Sequence, residues 1–198
     1  MLFSRHKDIP VEISKVKLNE WYSELNDKDK VKIGRYIKDS DTSSALNFSL
    51  SVMRKANEEE NYSLSVLVGE NVITQDLKAI ERFDVLEAII PAYFGTCKYD
   101  ICLKCCEEGL SILQKNMEEI KKRNSGNLPE SIMCRNYMIN VLIGAYNDYD
   151  RADAALDRFF EMGLISEEDV EYRKRSHKIH KLQRTFDGIF SATKVKEQ

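Results

Sequence analysis

GTCKYDICLKCCEEG, residues 95–109, holds four of the chain's five cysteines within ten positions. Its reading decides the fold. Cys102, Cys105 and Cys106 stand at i, i+3 and i+4, which on a helix is one face. The stripe then continues. Cys102, Cys106, Gly109, Leu113, Met117 and Ile120 follow in steps of 4, 3, 4, 4 and 3, a sustained helical period over Tyr99–Lys122. Free cysteine is a small hydrophobe and is often buried. The segment therefore predicts a packing helix whose thiols are spacers in a core.

The competing reading is a metal centre. Cys97, Cys102 and Cys105 read C-x4-C-x2-C, with Cys134 after 28 further residues, an outline that resembles plant-type ferredoxin ligand spacing. Such a cluster needs an irregular loop that turns thiolates and N–H groups inward, and a β-rich frame. The helical period offers neither, so no metal, redox group or other cofactor is expected. Cys105, at the border of the stripe with Lys104 beside it, is the one candidate for a reactive thiol. His177 and His180 form H-x-x-H, but with only three histidines in the chain they are expected on a solvated face.

The rest of the chain keeps the same period. Leu18, Trp21, Tyr22 and Leu25 fall on one helical face, and Asn26 with Asp29 reads as the cap of the next helix. A helix is expected over 44–57, with Leu46, Leu50 and Met53 on one stripe. Residues 63–73 alternate at Leu64, Val66 and Val68, which leaves a strand open, but no partner strand is visible. Leu77–Phe94 is helical in period, with Pro91 as a kink or at a junction. Pro129 is placed to open a helix after the loop KKRNSGNLP. Ser166 and Asp169 mark the start of a last helix running to Phe190, with Ile179, Leu182, Phe186 and Ile189 on its buried face.

Composition agrees with a helical globular chain. Its 198 residues are 42% hydrophobic and 32% charged, with three prolines and eight glycines. The net charge of −3 gives no bulk attraction to nucleic acid or anionic lipid. MLFSRHKDIP lacks the apolar core of a signal peptide, and no apolar run approaches a membrane span of ~18 residues. An odd, clustered set of cysteines implies reduced thiols, so a cytoplasmic location is expected.

Three turns share one arrangement: EENY at Tyr62, TCKY at Tyr99 and YNDY at Tyr149, each with a small residue three positions on, at Ser65, Cys102 and Ala152. Small side chains there let two helices cross closely. YDICLKCCEEGL resembles the second helix of a tetratricopeptide repeat, and residues 142–163 also resemble the related pentatricopeptide repeat. The tyrosines are 37 and then 50 residues apart, so the array is expected to be irregular. The fold class is all-α: antiparallel helical hairpins over 46–75, 83–122 and 132–163, stacked as a short tetratricopeptide-like array with flanking N- and C-terminal helices. The expected division is an N-terminal helical segment (1–44), the hairpins (45–165), a capping helix (166–190) and a frayed tail (191–198), together one compact domain.

The resemblance implies a non-enzymatic interaction module that binds a peptide or partner protein in a groove lined by first helices. Its groove positions match Asn47, Arg54 and Asn57 in the first hairpin, Asp84, Glu87 and Phe94 in the second, and Tyr137 in the third. No catalytic set is visible: there is no phosphate loop, no H-E-x-x-H and no nucleophile with a base beside it. The alternative is RNA binding through the run 173–184, which carries Arg173, Lys174, Arg175, Lys178, Lys181 and Arg184 and no acid. Against it, five acids precede this run over 161–172, so acids and bases complement the helix dipole and pair as Glu171 with Arg175. Homo-oligomerisation is open through Tyr146 and Phe160.

Overall fold

The computed structural model describes the backbone of residues 9–194 and the side chains of residues 9–186. All regular structure among them is helical. The chain forms two compact units, one ending at Tyr137 and the other beginning at Met138.

The first unit opens with short helices: α1 (Val11–Lys15), α2 (Asn19–Glu24) and α3 (Asp27–Gly34). The face read from Leu18 to Leu25 is thus only partly helical, because Lys17 takes a left-handed φ of 59° and Leu18 and Leu25 flank α2 rather than extend it. The Asn26 cap forms as expected, with its Oδ1 accepting the Asp29 N–H at 3.0 Å.

Four longer helices follow: α4 (Ala45–Glu58), α5 (Tyr62–Ile73), α6 (Ala79–Gly95) and α7 (Tyr99–Lys115). Each packs on the next, and α4 also packs on α6. Ser44 caps α4 by accepting the Asn47 N–H at 3.0 Å. The segment whose alternation left a strand open is helix α5, and its Leu64, Val66 and Val68 are all buried. Tertiary burial on several sides explains why apolar residues fill more than one face there.

Glycines set the spacing of these helices. A Cβ on Gly69 of α5 would lie 2.4 Å from the Ile89 side chain of α6, and one on Gly95 of α6 would lie 2.3 Å from the Tyr62 ring of α5. Contacts at 69 with 89 and at 62 with 95 make the pair antiparallel. Gly109 of α7 performs the same task toward Cys134, at 3.1 Å.

The stripe that opened the sequence reading is buried. Cys102, Cys106 and Leu113 are fully enclosed, and Cys105 is buried with them rather than bordering them. The helix does not run on to Lys122, however. It ends at Lys115, and α8 (Met117–Arg123) starts afresh. At Asn116 the backbone turns to ψ 23°, and the Asn116 amide donates to the Ile112 carbonyl at 2.8 Å. A side chain that bonds the preceding turn competes with the helix ladder. Pro129 does not open a helix either: α9 (Met133–Asn140) begins four residues later.

In the second unit a π-helical turn, Val141–Ala145, precedes α10 (Tyr149–Glu161) and α11 (Glu167–Lys194). The Ser166 hydroxyl accepts the Asp169 N–H at 3.1 Å and starts α11 as expected. The face assigned to burial on α11 is wrong. Ile179 is 51% exposed, Leu182 58% and Phe186 56%, while His177, read as solvated, is only 8% exposed. The side that α10 covers is the polar one, because its partner groups are carboxylates. The side chain of Ile189 lies outside the described residues, as does the tail beyond 194.

Three joints share a backbone. Glu60, Cys97 and Asn147 each take a left-handed φ of 55° to 57°, each stands two residues before a tyrosine, and Tyr62, Tyr99 and Tyr149 each open a helix. Ser65, Cys102 and Ala152, three residues further, are fully enclosed. These are the small, enclosed side chains that the sequence spacing predicts after each turn.

Candidate functional site

A groove of about 460 Å³ lies in the first unit between α4 and α6, closed at one end by Arg123 of α8 and by the loop before α9. Four of the seven expected partner-binding residues line it: Arg54, Asn57, Asp84 and Glu87. They converge because α4 and α6, the leading helices of two successive hairpins, pack side by side. Asn47 joins Arg54 in a neighbouring cleft of about 390 Å³ along α4. Phe94 and Tyr137 stand apart from the groove. Phe94 meets the Tyr137 ring edge-on at 5.1 Å and the Tyr99 ring at 5.6 Å, forming an aromatic cluster at the far end of α6.

Most polar groups of the groove already have internal partners. Both oxygens of Asp84 hold one guanidinium nitrogen of Arg123 at 2.9 Å. The Glu87 carboxylate accepts the N–H of Met133 at 2.6 Å and of Cys134 at 2.8 Å, so it closes the open first turn of α9. Burial pushes the Glu87 carboxyl above its ordinary range, and the two N–H groups pull the other way without offsetting it. The Asn57 amide donates to the Ala88 carbonyl at 2.7 Å. That carbonyl sits beside the Glu87 carbonyl, whose usual helical donor is missing because Pro91 has no N–H.

Three groups remain uncommitted, the exposed Glu58 among them. The Oδ1 atom of Asn57 is buried without a hydrogen-bond partner. Arg54 is exposed and has no ion-pair partner among the described residues. Sequence reasoning missed Arg123, Pro129, Ser131 and Met133 as lining residues. No local pattern marks them: Arg123 ends α8, Met133 opens α9, and the loop that carries Pro129 and Ser131 reads simply as polar.

The cysteines form no centre. All five are free thiols, and among the described residues no group of three or more His, Cys, Asp or Glu is placed to hold a metal ion. Cys97 accepts the Tyr99 hydroxyl at 3.4 Å, while the Cys102 thiol donates to the Ile90 carbonyl at 3.6 Å. The Cys105 thiol is pushed up to about 12 by burial, so it is not the reactive thiolate that its neighbour Lys104 suggested. Burial also raises Cys134.

The basic run 173–184 is partly spent within the second unit. Lys174 pairs with Asp157 at 2.5 Å, His177 with Asp153 at 2.6 Å and Lys181 with Asp150 at 3.1 Å. These form an antiparallel ladder: acids at i, i+3 and i+7 on α10 meet bases at i, i+3 and i+7 on α11. The His177 ring also meets Tyr149 edge-on at 6.0 Å. Arg175 lies 3.8 Å from Glu171, the pairing expected from the sequence. Arg173, Lys178 and Arg184 have no partner among the described residues.

No helix among the described residues is long and apolar enough to cross a membrane. No protein-family model matches the chain, and neither a curated protein nor a solved structure shows significant similarity to it.

Proposed function

We propose that the first unit is a non-enzymatic interaction module of the tetratricopeptide-like kind, holding a partner peptide in the groove between α4 and α6. The order of packing supports this reading: α4 on α5, α5 on α6, and α4 on α6 is the arrangement in which leading helices share a concave wall. One observation carries it. In a groove where Asp84, Glu87 and Arg123 are all engaged, the exposed Arg54 is left without an ion-pair partner among the described residues. A peptide that supplies a carboxylate to Arg54 completes the pairing that the groove leaves open.

The test is affinity capture of the tagged chain from its own cells, followed by the charge reversal Arg54→Glu with Glu58→Lys. Both residues are exposed, so the fold is retained. Captured proteins that are lost with this pair, and kept with Val31→Ser on α3, bind through the groove. Undiminished capture by the reversed pair sinks the reading.

A further inference from the structure

We propose that the outer face of α11 is a docking seam for an acidic amphipathic helix of a partner protein. Val170, Lys174, His177 and Lys181 turn toward α10. At about 100° per residue, Tyr172, Ile179, Leu182 and Phe186 fall on the opposite side. They are 72%, 51%, 58% and 56% exposed. With Arg175 between the first two, their steps are 3, 4, 3 and 4. That is the seam of a two-helix coiled coil over two heptads.

Charge selects the occupant. Residues 172–186 contain six Lys or Arg and no Asp or Glu. Arg175 stands in the seam itself and Lys178 beside it, and among the described residues Arg175 is paired with Glu171 alone, at 3.8 Å with both side chains exposed. A partner helix with acids flanking its own apolar stripe therefore meets unsatisfied positive charge.

A second copy of α11 fits poorly. Pairing apolar residues with apolar residues, in either direction, lays this acid-free run against itself. Sliding the copies until the acids of 167–171 meet the bases removes Leu182 and Phe186 from the contact. An anionic lipid surface fits less well too, because interfacial helices bury a broad apolar face and this stripe is one residue wide per turn. At the end of the seam Lys181 pairs with Asp150, the second residue of the antiparallel α10, so Leu182 stands level with the start of that helix and Phe186, one turn on, lies past it.

The experiment uses the full chain and a fluorescent synthetic helix of about four heptads, with Leu at a and d and Glu at e and g. The expected result is saturable binding that weakens about tenfold or more on Leu182→Asp with Phe186→Asp, anchors whose truncation dominates such interfaces. Arg175→Glu with Lys178→Glu weakens it too, and Val31→Ser leaves it unchanged. Circular dichroism confirms that the exposed substitutions leave the helical content intact. No binding overturns the proposal. So does equal binding of the same helix with Lys at e and g. Binding to phosphatidylcholine–phosphatidylserine vesicles in place of the peptide overturns it, as does a wild-type dimer that Leu182→Asp with Phe186→Asp turns into monomers.

Discussion

Glu87 reaches from the middle of α6 to Cys134 at the start of α9, where its carboxylate accepts the backbone N–H at 2.8 Å. A residue that the hairpin pattern places in a binding groove is thus the cap of another helix. Helix starts leave N–H groups unsatisfied, and here the missing acceptor comes from a distant element rather than from a local Ser, Thr, Asp or Asn.

Glu87→Ala should cost about 1–3 kcal/mol, since it strands two N–H groups at a partly buried helix end. Urea unfolding reads this directly. Glu87→Gln keeps an acceptor and should cost less. The pH dependence has a defined sign. The folded-state carboxyl is held above its usual value near 4.5, so the native chain keeps a proton that the unfolded chain has lost. Stability should therefore fall as pH rises from about 4.5 through the raised value, and Glu87→Gln should flatten that fall. A wild-type profile that rises over this window contradicts the assignment.

Gly69→Ala and Gly95→Ala should each destabilise by about 1–3 kcal/mol, because the new methyl has to displace Ile89 or the Tyr62 ring. Gly34→Ala is the contrast. Nothing lies within 4 Å of its Cβ position, so the substitution should be neutral or stabilising by up to about 1 kcal/mol. Thermal melts of the three variants separate close approach from helix propensity.

The α10–α11 ladder should be uneven. Asp153→Ala leaves the buried His177 ring without its partner and should cost about 1–2 kcal/mol. Asp150→Ala breaks a pair whose side chains are 88% and 58% exposed, so it should cost about 0.5 kcal/mol or less. Amide exchange along α11 should quicken in the first variant and hardly change in the second.

Thiol labelling should show one fast site. Cys97 is exposed, and the other four cysteines are buried. A disulfide reagent should titrate one equivalent quickly in the native chain and the rest only on unfolding. Cys97→Ser should abolish the fast phase. Rapid labelling of Cys105 would show that its enclosure is wrong.

The all-helical class, the three tyrosine joints and the Asn26 and Ser166 caps were legible because each is a local rule: a period, a turn, a side chain bonding three residues on. The buried face of α11 was not legible. Its apolar stripe is real, but α10 presents Asp150, Asp153 and Asp157, so the polar side of α11 was taken instead. The groove was half legible. The tetratricopeptide resemblance singled out Arg54, Asn57, Asp84 and Glu87, which line one groove, yet nothing local announces that Arg123 and the first turn of α9 would engage two of them. Asn116 shows the reverse case, in which a single amide ends a helix whose apolar period continues unbroken.

The π-helical turn at Val141–Ala145 changes what counts as the unit of this architecture. At the first two joints the N–H after the left-handed residue reaches back five positions, from Asn61 to Ala56 and from Lys98 to Tyr93; at the third it reaches back six, from Asp148 to Leu142. The widened coil absorbs one surplus residue upstream and delivers Asn147 and Tyr149 to the same elbow. What recurs along the chain is therefore the elbow and not the length of the arms, which is how tyrosines at unequal intervals produce equivalent corners.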